Sequence, residues 1–283
     1  MLNLKLYGKI KNRLAMKNSS QHYLTLINSS NSLSLHERIL LKQSLVDTVP
    51  MDYPNKEILM VADTIPQWGR LQSCKKEPET VKWLEETIQP GDVFYDIGAN
   101  IGAYSLVASA ITQSESITYA FEPGFSTFST LSQNIYLNKS SNCIIPFQIA
   151  LSDATTLVPF HYSNILSGAA MHGLEHPVAE EGQPFEPIYS QTIMSYRLDD
   201  FIEQFLIKEP NLIKIDVDGS ELRVLKGAEK TLTKPSLRSI LIELNEEHTI
   251  YKPIIDICKK SGFKLRDKYQ RGNSQYYNYI YNR

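Results

Sequence analysis

The stretch "VFYDIGANIGAYS", Val93–Ser105, is an apolar run that ends in an aspartate and then breaks into a turn with two glycines. An apolar run with little alternation is typical of a strand that is buried on both faces of a sheet. Gly98 permits a tight turn after this strand, and Gly102 lets the next helix begin close to a ligand. The dinucleotide-binding fingerprint needs glycine at positions 98, 100 and 103, but the sequence has Asn100 and Ala103. The stretch therefore predicts the first strand and turn of an α/β domain that holds a ligand other than a dinucleotide.

From residue 93 onward, short β-rich runs alternate with helical patterns. The runs lie at 93–97, 117–122, 144–149, 212–217 and 240–244, and the helical patterns lie at 103–112, 125–137 and 220–232. This alternation predicts a parallel sheet with helices on both sides. The tail "GFKLRDKYQRGNSQYYNYIYNR" has two further strand-like runs around an Arg-Gly-Asn turn. It predicts an antiparallel hairpin at the edge of the sheet.

Two regions do not follow this alternation of strands and helices. Residues 1–74 are expected to form an N-terminal extension, and residues 75–283 the main domain. In the extension, Ser34 and Glu37 have the spacing of a capping box, which predicts the start of a helix, and "KEILMVADTI" predicts a short strand. Within the main domain, an insertion at about 154–196 is rich in proline, glycine and histidine. Insertions of this kind usually build the wall of a substrate site.

The composition is that of a soluble globular protein. The 283 residues have a net charge of -2, with 42% apolar and 21% charged residues, which argues against a surface built for nucleic acid. No run approaches the 18 apolar residues of a membrane-spanning helix, and three widely spaced cysteines favour a reducing, cytoplasmic location. A basic N-terminal segment could rest on an anionic membrane, although packing on its own domain is favoured. Its basic residues are Lys5, Lys9, Lys11, Arg13 and Lys17.

Two carboxylates at strand ends indicate what the glycine loop holds. Asp96 at the mouth of the loop would repel a pyrophosphate, whereas it would attract an amino group. Glu122 ends the second strand, 20 residues after Gly102. An acid at this position accepts hydrogen bonds from both hydroxyls of a ribose, although Glu122 could alternatively cap the following helix. A ligand with a ribose, an adenine and an ammonium group but no phosphate fits both carboxylates, and S-adenosylmethionine is such a ligand.

Several motifs together resemble the FkbM-type methyltransferases, a branch of the Rossmann-like S-adenosylmethionine-dependent enzymes. The motifs are "DVFYDIGANIGAYS", "YAFEP", "IALSD", "NLIKIDVDGSELRVLKGAEKTL" and "SILIELN", and the resemblance covers roughly residues 75–270. It implies a seven-stranded sheet whose last strand runs antiparallel. It also implies O-methylation of hydroxyl groups on sugars, polyketides or other natural products.

The resemblance implies a set of cofactor-binding residues. The glycine loop would surround the methionine part of the cofactor, Glu122 would take the ribose, and the segment after the third strand would hold the adenine. Several of these residues also have a purely structural interpretation. Tyr104 could be a core residue, and Asp153 could form a turn. Glu79 and Thr80 could simply begin a helix. The full predicted set is Glu79, Thr80, Asp96, Gly98, Ala99, Asn100, Gly102, Tyr104, Glu122, Pro123, Ala150, Leu151, Ser152, Asp153 and Asp216.

Methyl transfer from a sulfonium is an in-line displacement, so the enzyme must align the reactants and remove a hydroxyl proton. Asp216 ends the fourth strand and faces the ligand crevice in this topology. Asp218 stands where the family more usually has glutamate. The candidate bases are Asp218, Glu243 and the insertion residues His172 and His176. The predicted catalytic set is Asp216, Asp218, Glu243 and His172.

Two metal-binding alternatives are less favoured. Asp216 with Glu243 or Asn245 could hold a divalent metal, but oxygen atoms at strand ends also orient substrate hydroxyls without one. The segment "HGLEH" at 172–176 matches the inverted zinc-protease pattern. Its internal glycine and the proline that follows it disfavour the helix which that chemistry needs.

The sequence therefore predicts an α/β, Rossmann-like, seven-stranded methyltransferase sheet flanked by helices, with an N-terminal extension. The expected function is S-adenosylmethionine-dependent O-methylation of a hydroxyl on a sugar, glycan or glycosylated small metabolite. The expected partner is thus a small molecule or carbohydrate, and not nucleic acid. The alternative is a catalytically silent S-adenosylmethionine-binding protein that acts through a partner.

Overall fold

A computed structural model describes residues 25, 27–45, 47–178, 184–247, 249–272 and 274–283. The chain divides into two compact units, Met1–Asp47 and Thr48–Arg283. The predicted boundary between residues 74 and 75 stays a prediction, and the basic segment proposed for membrane contact lies outside the described residues.

The helices begin and end as follows: α1 (Leu35–Ser44), α2 (Ile65–Arg70), α3 (Ser73–Lys76), α4 (Pro78–Thr87), α5 (Ala103–Ile111), α6 (Phe125–Leu137), α7 (Leu198–Phe205), α8 (Glu221–Gly227) and α9 (Tyr251–Lys260). In the first unit, α1 has the predicted capping box: the Ser34 side chain accepts from the Glu37 amide, and the Glu37 side chain accepts from the Ser34 amide. Within the described part of the chain, no helix is both long and apolar enough to cross a membrane.

The strands are β1 (Asp47–Pro50), β2 (Leu59–Ala62), β3 (Val93–Ile97), β4 (Ile117–Phe121), β5 (Ile144–Phe147), β6 (Ala150–Leu151), β7 (Thr156–Tyr162), β8 (Gly173–Leu174), β9 (Tyr189–Tyr196), β10 (Leu212–Ile215), β11 (Ser239–Asn245), β12 (Lys264–Gln270) and β13 (Tyr276–Asn282). A seven-stranded sheet has the order β12-β13-β11-β10-β3-β4-β5. The strands β11, β10, β3, β4 and β5 are parallel, and β13 runs antiparallel to β11 and β12. The predicted sheet and its C-terminal hairpin are therefore confirmed.

Both faces of this sheet are buried, because neighbouring residues on a strand point to opposite sides. Phe94 packs into one core with Trp83 of α4 and Leu131 of α6. Tyr95 packs into the other core with Leu225 of α8. The unbroken apolar runs that predicted the strands reflect this double burial.

The insertion and the short strand β6 just before it form a second small sheet of order β6-β9-β7-β8. The strands β7 and β9 pair antiparallel along their length, from Thr156 opposite Ser195 to Tyr162 opposite Tyr189. The loop between β7 and β8, residues 163–172, lies next to the carboxyl ends of the large-sheet strands, as the contacts below show.

Candidate active site

The strand order reverses between β3 and β10, and ligands of open α/β sheets bind at such a switch point. The glycine loop follows β3 on one side of this point, and Asp216 follows β10 on the other. Gly98 has a φ of 80°, and a Cβ atom at this position would collide with the carbonyl oxygen of Asp216. Only glycine allows the two backbones to approach this closely.

A cavity of about 270 Å³ opens at the switch point. Several predicted site residues line it. Three cationic side chains also face it: one from α2, one from α3 and one from the turn between β12 and β13. The polar lining consists of Asn100, Glu122, His172, Asp216, Asp218, Glu243, Arg70, Lys76 and Arg271. A narrow adjoining cavity of about 40 Å³ is mostly apolar, and its walls include Pro123, Ile149, Ala150, Leu151 and Phe160.

Glu122 lies at the end of β4 and is buried. One of its carboxylate oxygens accepts from the Asn100 amide at 3.0 Å, and the other accepts from the Gly124 amide at 2.8 Å. Burial raises the pKa of this carboxyl to about 7. Glu122 thus fixes the glycine loop and also presents its carboxylate to the cavity.

Asp96 is buried and does not line either cavity. The Ser105 hydroxyl donates to its carboxylate at 2.7 Å, and the Lys214 ammonium lies 4.0 Å away. Burial raises the pKa of Asp96, against the opposing influence of Lys214. Asp96 therefore contacts Ser105 in the first turn of α5 instead of facing either cavity.

Lys214 carries a buried positive charge in the middle of the sheet. Its ammonium donates to Asp216 at 2.9 Å and lies 5.2 Å from the centre of the Tyr104 ring. Burial alone would raise the pKa of Asp216, but the charges of Lys214 and Arg271 outweigh it and hold that pKa below its usual range. Asp216 is therefore ionised where it faces the cavity.

Asp218 lines the cavity in the left-handed region, with a φ of 53°. Its Oδ2 accepts from the Met171 amide at 2.6 Å and more weakly from the His172 amide at 3.4 Å. Burial and the nearby charge of Asp216 raise the pKa of Asp218 to about 6. The short side chain therefore anchors the 163–172 loop and titrates close to neutral pH.

The His172 ring also lines the cavity, packed between the rings of Phe160 and Tyr162 at 5.5 and 5.3 Å. Burial and the charge of Arg70 lower its pKa to about 4. The Ser163 amide approaches Nδ1 at 3.4 Å, which favours an unprotonated Nδ1 and a proton on Nε2. His172 is thus a neutral imidazole and a weak base. The proposed zinc-protease pattern is not helical here, because Gly173 and Leu174 form β8.

Glu243 lines the cavity from the end of β11 and forms an ion pair with Arg271. Arg271 also pairs with the buried Glu77 at 2.6 Å. The sequence reading missed Arg271, whose Arg-Gly-Asn context it interpreted only as a turn.

The remaining predicted residues line neither cavity. Asp153 forms an ion pair with Arg223 at 2.8 Å, and Glu79 accepts from Asn278 at 2.9 Å. The Tyr104 hydroxyl donates to the Ser73 carbonyl at 3.2 Å, and a Cβ on Gly102 would meet Leu131 at 2.6 Å. The others that support the site from behind are Thr80, Ala99 and Ser152, all of them buried.

A second, larger cavity of about 650 Å³ shares part of its wall with the first. Arg70, Lys76 and the loop residues 169–171 line both cavities. Among the described residues, no group of three or more histidine, cysteine, aspartate or glutamate side chains is arranged to hold a metal ion.

A seven-stranded sheet of this order, a glycine turn at its switch point and a buried acid after the neighbouring strand define the class of Rossmann-like S-adenosylmethionine-dependent methyltransferases. Comparison with known proteins agrees. Residues 96–265 match the family described as the methyltransferase FkbM domain, and the chain belongs to this family. The predicted family, fold and methyltransferase activity are thus confirmed.

Two characterised relatives show the range of similarity. The hexuronic acid methyltransferase AglP of Haloferax volcanii is 29% identical over 182 residues, which are 64% of this chain and 68% of that protein. The 2-O-methyltransferase NoeI of Sinorhizobium fredii is 27% identical over 214 residues, which are 71% and 82% of the two chains.

A solved structure has the same fold. The methyltransferase FkbM of Methylobacillus flagellatus matches with a TM-score of 0.50 at 15% identity, over 76% of this chain and 54% of that one. The match therefore spans about half of the length of the solved chain.

Proposed function

We propose that this methyltransferase transfers the methyl group of S-adenosylmethionine to a hydroxyl of a sugar, glycan or glycosylated small metabolite. The observation that carries the proposal is the position of Asp218, a carboxylate that lines the cavity together with Gly98 and Asn100 of the glycine loop. The names of the relatives AglP and NoeI, one a hexuronic acid methyltransferase and the other a 2-O-methyltransferase, support such an acceptor.

The residues present fit the cofactor. Glu122 would accept from the ribose hydroxyls, the narrow apolar cavity next to Pro123 suits a flat adenine ring, and ionised Asp216 would attract the ammonium group. Gly98 lines both of these cavities without a side chain. When bound, the cofactor would supply a methyl group on a sulfonium, which an acceptor oxygen could displace from the sulfur with the electron pair of the C–S bond left on the sulfur.

We propose Asp218 as the base that takes the hydroxyl proton. A base works best when its pKa is close to the working pH, and Asp218 meets this condition whereas His172, with a pKa of about 4, does not. Glu243 is already paired with Arg271. The Oδ2 atom of Asp218 holds the loop, so Oδ1 would receive the proton.

A metal ion is not part of the proposal. The two carboxylates of the less favoured metal alternative, Asp216 and Glu243, are each paired with a cationic side chain, Lys214 and Arg271 respectively. Methyl transfer is therefore expected to proceed at the same rate with and without a chelator.

The proposed location is the cytoplasm. Cys74, Cys143 and Cys258 are buried free thiols, which suits a reducing compartment.

Two measurements test this function. Isothermal titration is expected to show binding of S-adenosylhomocysteine, the demethylated product, and none of NAD; binding of NAD alone contradicts the assignment. Transfer of a labelled methyl group from S-adenosylmethionine to a panel of sugars and glycosides is then expected for at least one hydroxyl acceptor. Cofactor binding with no transfer to any of them would favour the catalytically silent alternative.

A further inference from the structure

Arg70 and Lys76 lie where the two larger cavities join. Arg70 is the last residue of α2 and Lys76 the last of α3, and both side chains line both cavities. They precede the family match, which begins at residue 96. The first cavity contains the carboxylates at the strand ends, whereas none of the described residues that line the second cavity is acidic.

The two cations at this junction have few direct partners among the described residues, although the charge of Arg70 also acts to lower the pKa of Glu122, Asp216 and Asp218 across the first cavity. Among the described residues, Arg70 has no ion-pair partner, and its Nε donates to the Gly168 carbonyl at 3.3 Å. The Lys76 ammonium has Glu77 at 4.0 Å, but that carboxylate is held more closely by Arg271 at 2.6 Å. Burial lowers the pKa of Lys76, and the charges of Arg271 and Arg70 lower it further. Cations that face a cavity in which none of the described lining residues is acidic are suited to an anionic ligand.

The walls that carry these cations are well fixed. The Thr64 hydroxyl donates to the Ser167 carbonyl at 2.7 Å and so ties the start of α2 to the insertion loop. Gly168 has a φ of 82°, and a Cβ there would lie 2.9 Å from the Gln67 amide nitrogen. The Ser167 hydroxyl is anchored on Thr130 of α6 at 2.7 Å. The cations are therefore held at a preorganised surface.

We propose that Arg70 and Lys76 bind an anionic group of the acceptor, so that the substrate is an acidic sugar carrying a carboxylate, sulfate or phosphate. This inference rests on the proposed function and narrows it. The acceptor would lie in the second cavity with its hydroxyl directed toward Asp218, whose loop partner Met171 lines both cavities.

The carboxylate of the cofactor itself is another possible source of the same negative charge. Two ligands separate the sources: S-adenosylhomocysteine carries the carboxylate, and 5′-methylthioadenosine lacks it. If Arg70 serves the acceptor, Arg70→Gln binds both ligands as the wild type does.

The experiment is isothermal titration into the full chain saturated with S-adenosylhomocysteine. The probes are glucuronic and galacturonic acid, the matched neutral sugars glucose and galactose, and inorganic sulfate. The wild type is expected to bind sulfate and to bind at least one uronic acid tenfold more tightly than its neutral partner. Arg70→Gln and Lys76→Gln are each expected to lower the affinity for the anionic probes at least tenfold. Arg70→Lys is expected to retain most of this affinity.

Lys75→Gln is the matched control, because Lys75 is the exposed neighbour of Lys76 and lines neither cavity. It is expected to bind every probe as the wild type does. The proposal is overturned if the wild type binds neither sulfate nor any uronic acid better than the neutral sugars, or if Arg70→Gln leaves the anions unaffected. It is also overturned if Arg70→Gln weakens S-adenosylhomocysteine but not 5′-methylthioadenosine.

The two proposals fail separately. If the enzyme methylates neutral sugars as well as it methylates acidic sugars, only the proposed anion site is overturned. Absence of methyl transfer to every hydroxyl acceptor overturns the proposed function as well.

Discussion

The two halves of the site differ in charge and in origin. The half proposed to face the cofactor contains the carboxylates of the large-sheet strand ends, with Glu122, Asp216 and Asp218. The half that faces the second cavity is basic and comes from short helices and the insertion, with Arg70 and Lys76. In our proposal these two halves have different roles: the strand ends of the sheet would bind the cofactor, and the segments outside the sheet would select the acceptor.

The largest expected effect concerns the point where the halves meet. Asp218→Asn keeps an oxygen for the Met171 amide but removes the base, so kcat is expected to fall at least about 100-fold, while S-adenosylhomocysteine still binds. Because the base must be ionised, the wild-type kcat/KM is expected to rise with pH through about 6 and then level off. Steady-state kinetics between pH 5 and 9 provide the measurement.

Asp218→Glu is the matched control and should restore most of the rate, because it retains the carboxylate that the family more usually has. An Asp218→Asn variant with wild-type kcat would show that the proton leaves by another route.

The second prediction concerns the charge of the acidic half. Lys214→Met leaves Asp216 and Asp96 without their buried cation. Breaking a buried pair in this way typically costs about 3–5 kcal/mol in the free energy of unfolding, which urea denaturation measures. Lys208→Met, at an exposed lysine ahead of the same strand, should have little effect. Equal stabilities of the two variants would mean that the buried carboxylates are protonated and need no cation.

The third prediction isolates the cofactor side. Glu122→Ala is expected to lower the affinity for S-adenosylhomocysteine at least tenfold, which is about 1.4 kcal/mol. The reason is that the ribose hydroxyls lose their hydrogen-bond acceptor. Glu115→Ala, at an exposed acid just before the same strand, serves as the control in the same titration. Unchanged affinity of Glu122→Ala would place the ribose elsewhere.

The smallest expected effect is a pH dependence of cofactor binding. Burial raises the pKa of Glu122 to about 7, and the ionised carboxylate is the form that accepts from both ribose hydroxyls. Affinity for S-adenosylhomocysteine is therefore expected to fall as the pH drops from 8 to 6, by up to about tenfold. Glu122→Gln should lack this dependence, and a wild type with a flat profile would contradict the assignment.

The large sheet was predictable because its strands are buried on both faces and leave unbroken apolar runs. The insertion strand β7 was not predicted: only one of its faces is buried, it contains Pro159, and its partner β9 lies some thirty residues further along the chain. The helix α9 was also missed: it contains Pro253, and only Ile254 and Cys258 of its residues are fully buried.

The site divides in the same way. Residues at strand ends, such as Glu122 and Asp216, could be placed because parallel strands bring their carboxyl ends together. Pairings across the chain were not readable from local pattern: Arg271 joins Glu77 over 194 residues, and Arg223 joins Asp153 over 70. These pairs explain why Asp153 binds an arginine side chain and why a cation from a distant part of the chain lines the cavity.

The most direct test of the divided site is one pair of variants measured with two ligands. Glu122→Ala and Arg70→Gln are each titrated with S-adenosylhomocysteine and, at saturating cofactor product, with a uronic acid. The division predicts that Glu122→Ala weakens only S-adenosylhomocysteine and that Arg70→Gln weakens only the uronic acid, each at least tenfold. Comparable losses of S-adenosylhomocysteine affinity in both variants would contradict it and assign both halves of the site to the cofactor.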